Sequence, residues 1–269
     1  MSKIGFVGGG QMAEALIKGI CVAGLYEPAQ IMAADPSEAR RQVLQKNYNI
    51  TTVEQAKDMA KDCDVIVLAV KPQVMGVVLD SLDKALSAQH LVISIAAGIT
   101  LKFIEEKLAD CNCRFIRVMP NTPALIQEGA AALSPGLRAS DNDMALGKSI
   151  FEAVGQAVIL PESYLDAVTG LSGSGPAYVF SFIEGLIDAG VKVGLARDAA
   201  QTLVLQTILG SVKLAISSKK HPAELRAMVT SPGGTTIAGL HEMARAGFQG
   251  ILMDAVESAT NRSIELGKN

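Results

Sequence analysis

The stretch FVGGGQMAEAL, Phe6 to Leu16, decides the fold of the first half of this 269-residue chain. It ends a short β-rich run and opens an amphipathic helical pattern. In such a strand–turn–helix unit Gly8 permits a tight turn, Gly10 lets a pyrophosphate approach the backbone, and Ala13 allows close helix packing. The first N–H groups of the helix add a partial positive charge. The stretch therefore predicts a dinucleotide site, and a plain glycine turn is the weaker alternative.

Around this unit, short β-rich runs alternate with helical patterns. The runs are KIGFVG, QIMAAD, DVIVLAV, HLVISIAAG, RFIRVMP, GAAALSP and QAVILP. Amphipathic segments lie between most of them, for example Met12–Ala23, Val74–Leu86 and Leu101–Leu108. This alternation predicts a parallel sheet with helices on both faces, because parallel strands need a crossover connection. The central runs VIVLAV and LVISIA are apolar throughout, as expected for strands that are buried on both faces.

The strand signal stops after about Leu160, and the rest of the chain is helical in pattern. The predicted helices are Pro176–Val193, Arg197–Ser217, Ala223–Val229, Thr235–Ala246 and Phe248–Leu266. We therefore place a domain boundary near Pro161, which gives an α/β domain of residues 1–161 and an all-α domain of residues 162–269. Several of these helices carry apolar residues on most sides and must be buried nearly all round. We expect a partner subunit to supply the missing cover.

Composition and charge argue against several classes of function. The formal net charge is −3 and basic residues do not cluster, whereas nucleic-acid-binding proteins concentrate them on one face. The longest apolar segment is interrupted by Glu184, Asp188 and Lys192 on one helical stripe, so we expect no membrane span. The four cysteines are sparse, and CNC at residues 111–113 has the wrong spacing for zinc, so we expect no metal. Reduced thiols predict a cytoplasmic location.

Asp35 ends the run QIMAAD and follows the glycines at about the 20-residue distance that is typical of a ribose-binding acid. Such a residue binds the adenosine ribose hydroxyls and favours NAD over NADP. Ser37, Arg40 or Arg41 could instead reach a 2′-phosphate. Asp35 could also merely cap a helix that begins at Pro36. The sequence alone leaves the cap and ribose roles open, and with them the choice between NAD and NADP.

Further residues of the predicted cofactor track follow the later strands. AVKPQ at residues 69–73 and SIAAGIT at residues 94–100 end two successive runs, and ligands of open α/β sheets lie along such carboxyl ends. Lys71 could contact the ligand or be a surface lysine. Asn121 could bind cofactor or substrate, or be a turn residue between two prolines. The candidate cofactor residues are Gly8, Gly9, Gly10, Gln11, Met12, Asp35, Ala69, Val70, Lys71, Pro72, Ala96, Ala97, Gly98 and Asn121.

The helical half contains one unusual polar stretch, VTSPGGTTIAGLH at Val229–His241. A turn explains its proline and glycines, but it leaves both threonines unexplained. A small polar cradle at the start of the following helix is the alternative, because helix N-termini bind anions.

Seven motifs follow one another along the chain: GGGQMAEAL, AVKPQ, SIAAGIT, RVMPNTPA, LSGSGPAY, HPAELR and SPGGTTIAGL. Their order and spacing resemble the pyrroline-5-carboxylate reductases over essentially the whole chain, and LSGSGPAY and SPGGTT are the most diagnostic. The resemblance implies a Rossmann-like dinucleotide-binding domain followed by a helical dimerisation domain. It also implies NADP or NAD as cofactor, a homodimer through the C-terminal helices, and reduction of 1-pyrroline-5-carboxylate to L-proline, the last step of proline biosynthesis. Dimers of this family often assemble further into decamers, and the sequence leaves the choice between dimer and decamer open.

The resemblance also implies a substrate site. Thr236 matches a family threonine whose hydroxyl contacts the ring nitrogen, and it is the catalytic candidate. Glu162 matches an acidic residue near the family's active site, although a solvated loop carboxylate is the alternative. Ser174 or Gly175 should cap the next helix, with Pro176 at an early helical position. The candidate substrate residues are Ser231, Gly233, Gly234, Thr235, Thr236, Glu162 and Ser174.

Other residues near these motifs carry weaker expectations. His221 and His241 are expected to cap or pack rather than to act as acids. Family members carry a cofactor-binding Asn where this chain has Ala56, so the adenosine-side contacts stay open. The proton donor to the imine and side activity on related cyclic imines stay open as well.

Two other functions compete with this reading. A β-hydroxyacid dehydrogenase also joins a Rossmann domain to helices, but it needs a catalytic lysine on a helix of the second domain. Lys192 and Lys213 are available there, and neither lies in a motif that supports the role. A dinucleotide-sensing regulator would bind the cofactor but would need no cradle for a small anion.

Overall fold

The computed structural model describes residues 2–267. These residues divide into two compact units. The N-terminal unit contains the chain up to Ser174 together with the residues from Glu257 onward, and the C-terminal unit is Gly175–Val256. The predicted boundary near Pro161 marks the end of the strand pattern. The boundary between the two compact units follows Ser174.

Within residues 2–267, eight strands form one sheet in the N-terminal unit. They are β1 Ile4–Val7, β2 Ile31–Ala34, β3 Thr51–Val53, β4 Val65–Leu68, β5 Leu91–Ser94, β6 Arg114–Met119, β7 Gly129–Pro135 and β8 Gly155–Ile159. Their order in the sheet is β3-β2-β1-β4-β5-β6-β7-β8. The seven predicted runs all contain strands. The prediction did not include β3, because three residues are too few to show a periodic pattern.

Neighbouring strands are parallel except for β6 and β7, which run antiparallel. The prediction of a parallel sheet is wrong at this pair. The connection between the two strands is a short 3₁₀ turn, Thr122–Ile126. Such a turn cannot make the crossover that parallel strands require, so the chain reverses direction.

Helices cover both faces of this sheet, as predicted. In the described chain they are α1 Gln11–Val22, α2 Glu38–Tyr48, α3 Ala56–Ala60, α4 Met75–Leu82, α5 Leu101–Lys107, α6 Asp141–Glu152 and α7 Leu165–Val168. Strand residues alternate between two apolar clusters, so Phe6 of β1 belongs to one and Val7 to the other. α1 and α6 pack on the first cluster, and α3, α4 and α5 pack on the second. The N-terminal unit therefore buries its own apolar residues.

The predicted cap at Ser174 or Gly175 is wrong, because the chain is already helical there. α7 continues through a π-helical turn, residues 169–173, into α8, Gly175–Lys192. The Ser174 N–H donates to the Thr169 carbonyl at 2.8 Å, so Ser174 lies inside the helical run and caps nothing. π-turns of this kind occur mostly at functional sites.

The C-terminal unit is helical throughout. Its helices are α8, α9 Arg197–Ser218, α10 Pro222–Met228, α11 Thr235–Arg245 and the first part of α12 Phe248–Leu266. All five agree with the predicted helices to within one residue at each end. Packing inside the unit includes the rings of Phe182 and Phe248, whose centroids are 6.0 Å apart.

In the single chain these helices leave large apolar side chains on the surface. Phe180 is 65% exposed and Ile216 is 71% exposed. By length and composition alone, one helix among the described residues, α9, is long and apolar enough to cross a membrane. The exposed apolar faces agree with the expectation that these helices need cover from elsewhere.

Candidate active site

The glycine turn between β1 and α1 forms the first candidate binding surface. Gly8 has a φ of +92°, and a Cβ there would lie 2.7 Å from the Ala69 carbonyl oxygen, so only glycine fits. A Cβ on Gly10 would meet nothing within 4 Å, so the backbone borders open space at this point. Gly10 is also the N-cap of α1 and has no side chain. The first N–H groups of α1 are therefore available to a bound anion.

Asp35 ties this turn to the end of β2. Its Oδ2 accepts a hydrogen bond from the Gly9 N–H at 2.7 Å, and its Oδ1 accepts one from the Ser37 N–H at 2.9 Å. Ser37 is the N-cap of α2, and its hydroxyl accepts from the Arg40 N–H at 3.4 Å. The interpretation of Asp35 as the cap of a helix that begins at Pro36 is therefore wrong. The carboxylate instead organises the glycine turn.

A cavity of about 730 Å³ opens beside this turn in the N-terminal unit. Six of the predicted cofactor residues line it: Gly8, Gly10, Asp35, Ala69, Val70 and Lys71. Glu54, Gln55 and Lys57 also line it, and the sequence analysis did not select them. They flank Ala56 just after β3, so the expected adenosine contact at position 56 was the signal that could have found them.

Three other predicted cofactor residues lie at the turn or directly after it without lining the cavity. Gly9 is buried in the turn, and a Cβ there would lie 2.9 Å from Leu44 Cδ1. Gln11 and Met12 are the first two residues of α1. Met12 packs, partly buried, against the core, and Gln11 is exposed.

Three more predicted cofactor residues line a second cavity in the same unit, of about 650 Å³. Pro72, Ala97 and Gly98 line it together with Ser174, while Ala96 is buried. Gly98 has a φ of +75°, in the region that favours glycine. The end of α12 closes one side, where the buried Ser263 hydroxyl donates to Asp166 Oδ1 at 2.6 Å.

Asn121 lies apart from both cavities, and both ends of its side chain are engaged. Its Nδ2 donates to the Ser172 carbonyl at 3.1 Å, and its Oδ1 accepts from the Ala130 N–H at 2.8 Å. These bonds join the turn after β6 to the start of β7 and to the π-turn. The geometry favours the turn role, and a cofactor contact stays a prediction.

Glu162 is likewise held by the N-terminal unit. Its Oε1 accepts from Arg117 Nη1 at 2.8 Å and from the Leu101 N–H at 2.7 Å. The Arg117 side chain is only 6% exposed and that of Glu162 is 30% exposed, so this ion pair is partly buried. The alternative of a solvated loop carboxylate is therefore wrong. Because Leu101 begins α5, the pair anchors the segment that follows Gly98.

A cluster of Arg40, Glu14 and Tyr48 contacts the glycine turn. The Arg40 guanidinium donates to the Gly9 carbonyl and to the Glu14 carboxylate. The Tyr48 hydroxyl donates to Glu14 at 3.0 Å. Burial and the neighbouring Glu14 carboxylate raise the pKa of Tyr48 to about 12. Burial alone would raise the pKa of Glu14, but hydrogen bonds from Arg40 and Tyr48 bring it below its usual value.

In the C-terminal unit, SPGG forms the turn between α10 and α11. The Gly234 N–H donates to the Ser231 carbonyl at 3.1 Å, and Gly233 has a φ of +66°. Gly234 is the N-cap of α11 and has no side chain, so the first N–H groups of this helix can bind an anion. Thr236 is half-buried in the first turn, and Thr235 is exposed.

A groove of about 870 Å³ runs beside this turn, within the same unit. Gly233 and Gly234 line it, whereas the side chains of the other three predicted residues of the turn, Ser231, Thr235 and Thr236, lie outside its described lining. Arg226 and His241 supply its titratable groups. The sequence analysis did not select Arg226, although its place in HPAELR was a usable signal. His221 caps α10 by accepting from the Ala223 N–H at 3.2 Å, which confirms the predicted capping role.

Thiol and metal chemistry find little support in this structure. All four cysteines are free. Burial raises the pKa of Cys63 and of Cys113 to about 12, and a protonated thiol is a poor nucleophile. Within residues 2–267, there is no group of three or more His, Cys, Asp or Glu that could hold a metal ion.

Comparisons with known families cover both halves of the chain. Residues 3–98 match the family described as NADP oxidoreductase, coenzyme F420-dependent. Residues 162–266 match the family described as pyrroline-5-carboxylate reductase dimerisation. The second match contains all of α8 to α12, including the SPGG turn.

Individual relatives match over nearly their whole length. A pyrroline-5-carboxylate reductase of Methanosarcina acetivorans is 45% identical over 266 residues, which is 99% of this chain and 98% of the relative. The crystal structure of a Plasmodium falciparum pyrroline carboxylate reductase with NADP bound is 37% identical with a TM-score of 0.88, and the match covers 99% and 98% of the two chains. A Coxiella burnetii pyrroline-5-carboxylate reductase structure is 34% identical with a TM-score of 0.95, covering 100% and 99%.

Proposed function

The chain belongs to the pyrroline-5-carboxylate reductase family, and on that premise we propose which of its residues carry out the reaction. It is an NAD(P)-dependent oxidoreductase that reduces 1-pyrroline-5-carboxylate to L-proline. The observation that carries this conclusion is 45% identity to a reductase of this kind over 99% of the chain. Proline biosynthesis ends with this reaction, and we place the protein there.

The cofactor is assigned to the cavity beside the glycine turn. The free N–H groups at the start of α1 suit a pyrophosphate, and the open space at Gly10 admits it close to the backbone. Asp35 lines the same cavity at the end of β2, where an acid suits the adenosine ribose. Lys71 also lines this cavity and supplies a positive charge for the cofactor phosphates. When bound, the reduced nicotinamide supplies the hydride that the imine carbon accepts.

The substrate carboxylate is assigned to the start of α11. The N–H groups after Gly234 have no side-chain cap, and a carboxylate is the kind of small anion that such a site binds. A Cβ on Gly233 would meet nothing within 4 Å, whereas one on Gly234 would overlap Ser231 Oγ, so the Ser231 hydroxyl lies beside the site. Ser231 and Thr235 flank this site, and Ser174 and Glu162 remain predicted contacts on the substrate side.

Thr236 is proposed to orient the ring nitrogen. An imine accepts hydride best when it is protonated, so the site needs placement and a hydrogen bond to nitrogen rather than a strong nucleophile. Holding two reactants in the reactive orientation lowers the barrier by about 7–11 kcal/mol. The Thr236 hydroxyl can make that hydrogen bond from the first turn of α11. The proton that the nitrogen gains is assigned to no particular donor.

An assay of pyrroline-5-carboxylate reduction, followed by oxidation of NADH or NADPH, tests this function. We expect Thr236→Ala to lower kcat/KM for the imine by about 100-fold, within the range of 10²–10⁴ for a positioned hydrogen-bonding group. Cofactor affinity, measured by fluorescence titration, should stay nearly unchanged. Thr236→Ser keeps the hydroxyl and should keep most of the activity.

Unchanged turnover in Thr236→Ala would remove the assigned role. Failure of the wild-type protein to reduce the imine with either cofactor would remove the function itself. In that case, oxidation of small hydroxy acids would favour the β-hydroxyacid dehydrogenase reading, and cofactor binding without any turnover would favour the regulator.

The chain forms dimers through its C-terminal helices, and we propose that these dimers assemble into a decamer. The apolar surface of α9 is then covered by protein, so we propose no membrane association. The net charge of −3 supports the absence of a nucleic-acid partner, and the free cysteines support a cytoplasmic location. Light scattering on the purified protein distinguishes dimer from decamer, and cell fractionation tests the location.

A further inference from the structure

We propose that Asp35 makes this chain prefer NADH to NADPH. The inference rests on the proposed function, because it concerns the cofactor of that same site. Asp35 lies where folds of this type receive the 2′ position of the adenosine ribose. A free 2′-hydroxyl can donate a hydrogen bond to a carboxylate there, whereas a 2′-phosphate brings negative charge against it.

The first observation is that the Asp35 carboxylate is fixed in place. Its two oxygens accept hydrogen bonds from the Gly9 and Ser37 N–H groups at 2.7 and 2.9 Å. The same side chain lines the cavity of about 730 Å³ beside the glycine turn. Turning it away from an incoming phosphate would break both bonds and release the turn that holds the pyrophosphate.

The second observation is that the three groups which follow Asp35 and could bind a phosphate, Ser37, Arg40 and Arg41, already have other partners. The Arg40 guanidinium binds the Gly9 carbonyl and the Glu14 carboxylate, and Arg40 does not line the cavity. Arg41 Nη1 donates to the carbonyls of Asp35 and Pro36 at 2.7 and 3.0 Å. The Ser37 hydroxyl caps α2. Each is engaged in holding the backbone around Asp35.

The third observation is the charge that faces the cavity. Two carboxylates, Asp35 and Glu54, line it together with two ammonium groups, Lys57 and Lys71. The four formal charges cancel, so a 2′-phosphate would enter a site with no net positive charge while adding nearly two negative charges of its own. NADH brings no added charge to this site, since its ribose carries a neutral hydroxyl at the 2′ position.

Steady-state kinetics with both cofactors test the inference. We expect the wild-type protein to show a kcat/KM for NADH at least about tenfold above that for NADPH. The difference should lie in a higher KM for NADPH, with similar kcat values for the two cofactors. Asp35→Ser loosens the turn for both cofactors, so the ratio between them is the readout, and it should shrink at least about tenfold. Asp35→Asn keeps a polar side chain of the same shape and should shift the ratio in the same direction. Glu38→Gln removes a carboxylate just outside the cavity and should leave the ratio unchanged.

Equilibrium binding separates this inference from the proposed function. Titration with 5′-AMP and with adenosine 2′,5′-bisphosphate needs no imine, and the first should bind more tightly to the wild-type protein but not to Asp35→Ser. With this binding pattern and no imine reduction, the proposed function fails and the cofactor inference stands. Equal or better use of NADPH by the wild-type protein overturns the inference. So does an unchanged ratio in both Asp35 variants, or a Lys57→Gln variant that loses use of NADPH alone.

Discussion

The N-terminal unit buries the apolar residues of its central strands within itself, whereas the C-terminal unit leaves most of its large apolar residues on its surface. Every residue of β1, β4 and β5 is buried. Among the described residues of α8 to α11, only Ala200 is buried. The first unit thus has a complete core, and the second has the surface of a fold that is completed by another subunit. The two units should therefore respond differently to the same kind of substitution.

Charges placed on the exposed apolar stripe of α9 should produce the largest effect. Leu209 and Val212 are 48% and 52% exposed and lie three residues apart on one helix face. In a dimer interface, two buried unpaired carboxylates cost several kcal/mol each. We expect Leu209→Asp/Val212→Asp to abolish the dimer and to lower imine reduction more than about 100-fold. Light scattering and the reductase assay measure both.

Two controls determine what that result means. Leu137 in the N-terminal unit is 89% exposed, and Leu137→Asp should stay dimeric and active. All four cysteines lie in the N-terminal unit, and Cys63 and Cys113 are 3% and 0% exposed. Their slow reaction with a thiol reagent should persist in the α9 variant. A dimeric and active α9 variant would break the comparison between the units, and rapid loss of thiol protection would show that the N-terminal unit depends on the other.

The glycine turn gives a second test, because Gly9 and Gly10 are adjacent but differ in surroundings. Gly10→Ala should weaken cofactor binding by about 5- to 100-fold without changing thermal stability, since its Cβ enters open space where the pyrophosphate approaches. Gly9→Ala should instead lower stability by about 1–3 kcal/mol, because its Cβ would lie 2.9 Å from Leu44. Fluorescence titration and thermal unfolding measure the two effects. Equal effects of both substitutions on binding would contradict this assignment.

The same pair sharpens the comparison between the units. If the N-terminal unit is complete on its own, the α9 variant should still bind the cofactor. Adding Gly10→Ala to it should then weaken binding by the same factor as in the dimer.

Much of the fold follows from local sequence pattern. The strands β1, β4 and β5 are uniformly apolar, and the C-terminal helices are bounded by Pro, Gly or Ser, so both are visible within short windows. Other features depend on contacts that such windows do not contain. The antiparallel pairing of β7 depends on the short connection before it, and the π-turn before Gly175 depends on backbone bonds such as that from the Ser174 N–H to the Thr169 carbonyl.

Some features of the candidate site are likewise visible in the local sequence, and others are not. The glycine turn and Asp35 were predictable because their spacing along the chain is itself the signal. The orientation of Arg40 was not, because it depends on Glu14, which lies on a different helix. Glu162 and Arg117 are distant in sequence, and only the folded chain shows that they form a pair. A family resemblance gives such residues a role without showing their partners.

Glu162 provides the smallest expected effect and tests where the two units divide. It opens the segment that matches the dimerisation family, yet its partners Arg117 and Leu101 belong to the N-terminal unit. Glu162→Gln removes the charge opposite a guanidinium that is 6% exposed, while the Glu162 side chain itself is 30% exposed. We expect a loss of about 1–2 kcal/mol in the free energy of unfolding, less than for a fully buried pair. Denaturant unfolding measures it.

Glu106→Gln is the matched control, because it removes an exposed ion pair of the same unit. Glu106 and Lys102 are 67% and 83% exposed, and their charged atoms are 3.8 Å apart, so the loss should stay below about 0.5 kcal/mol. If Glu162 anchors the N-terminal unit, Glu162→Gln should also speed the reaction of the buried Cys113 thiol while the dimer persists. A variant of unchanged stability whose KM for the imine rises would show that Glu162 acts only as the predicted substrate contact and does not anchor the N-terminal unit. The line between the units would then fall at residue 162, where the sequence pattern places it.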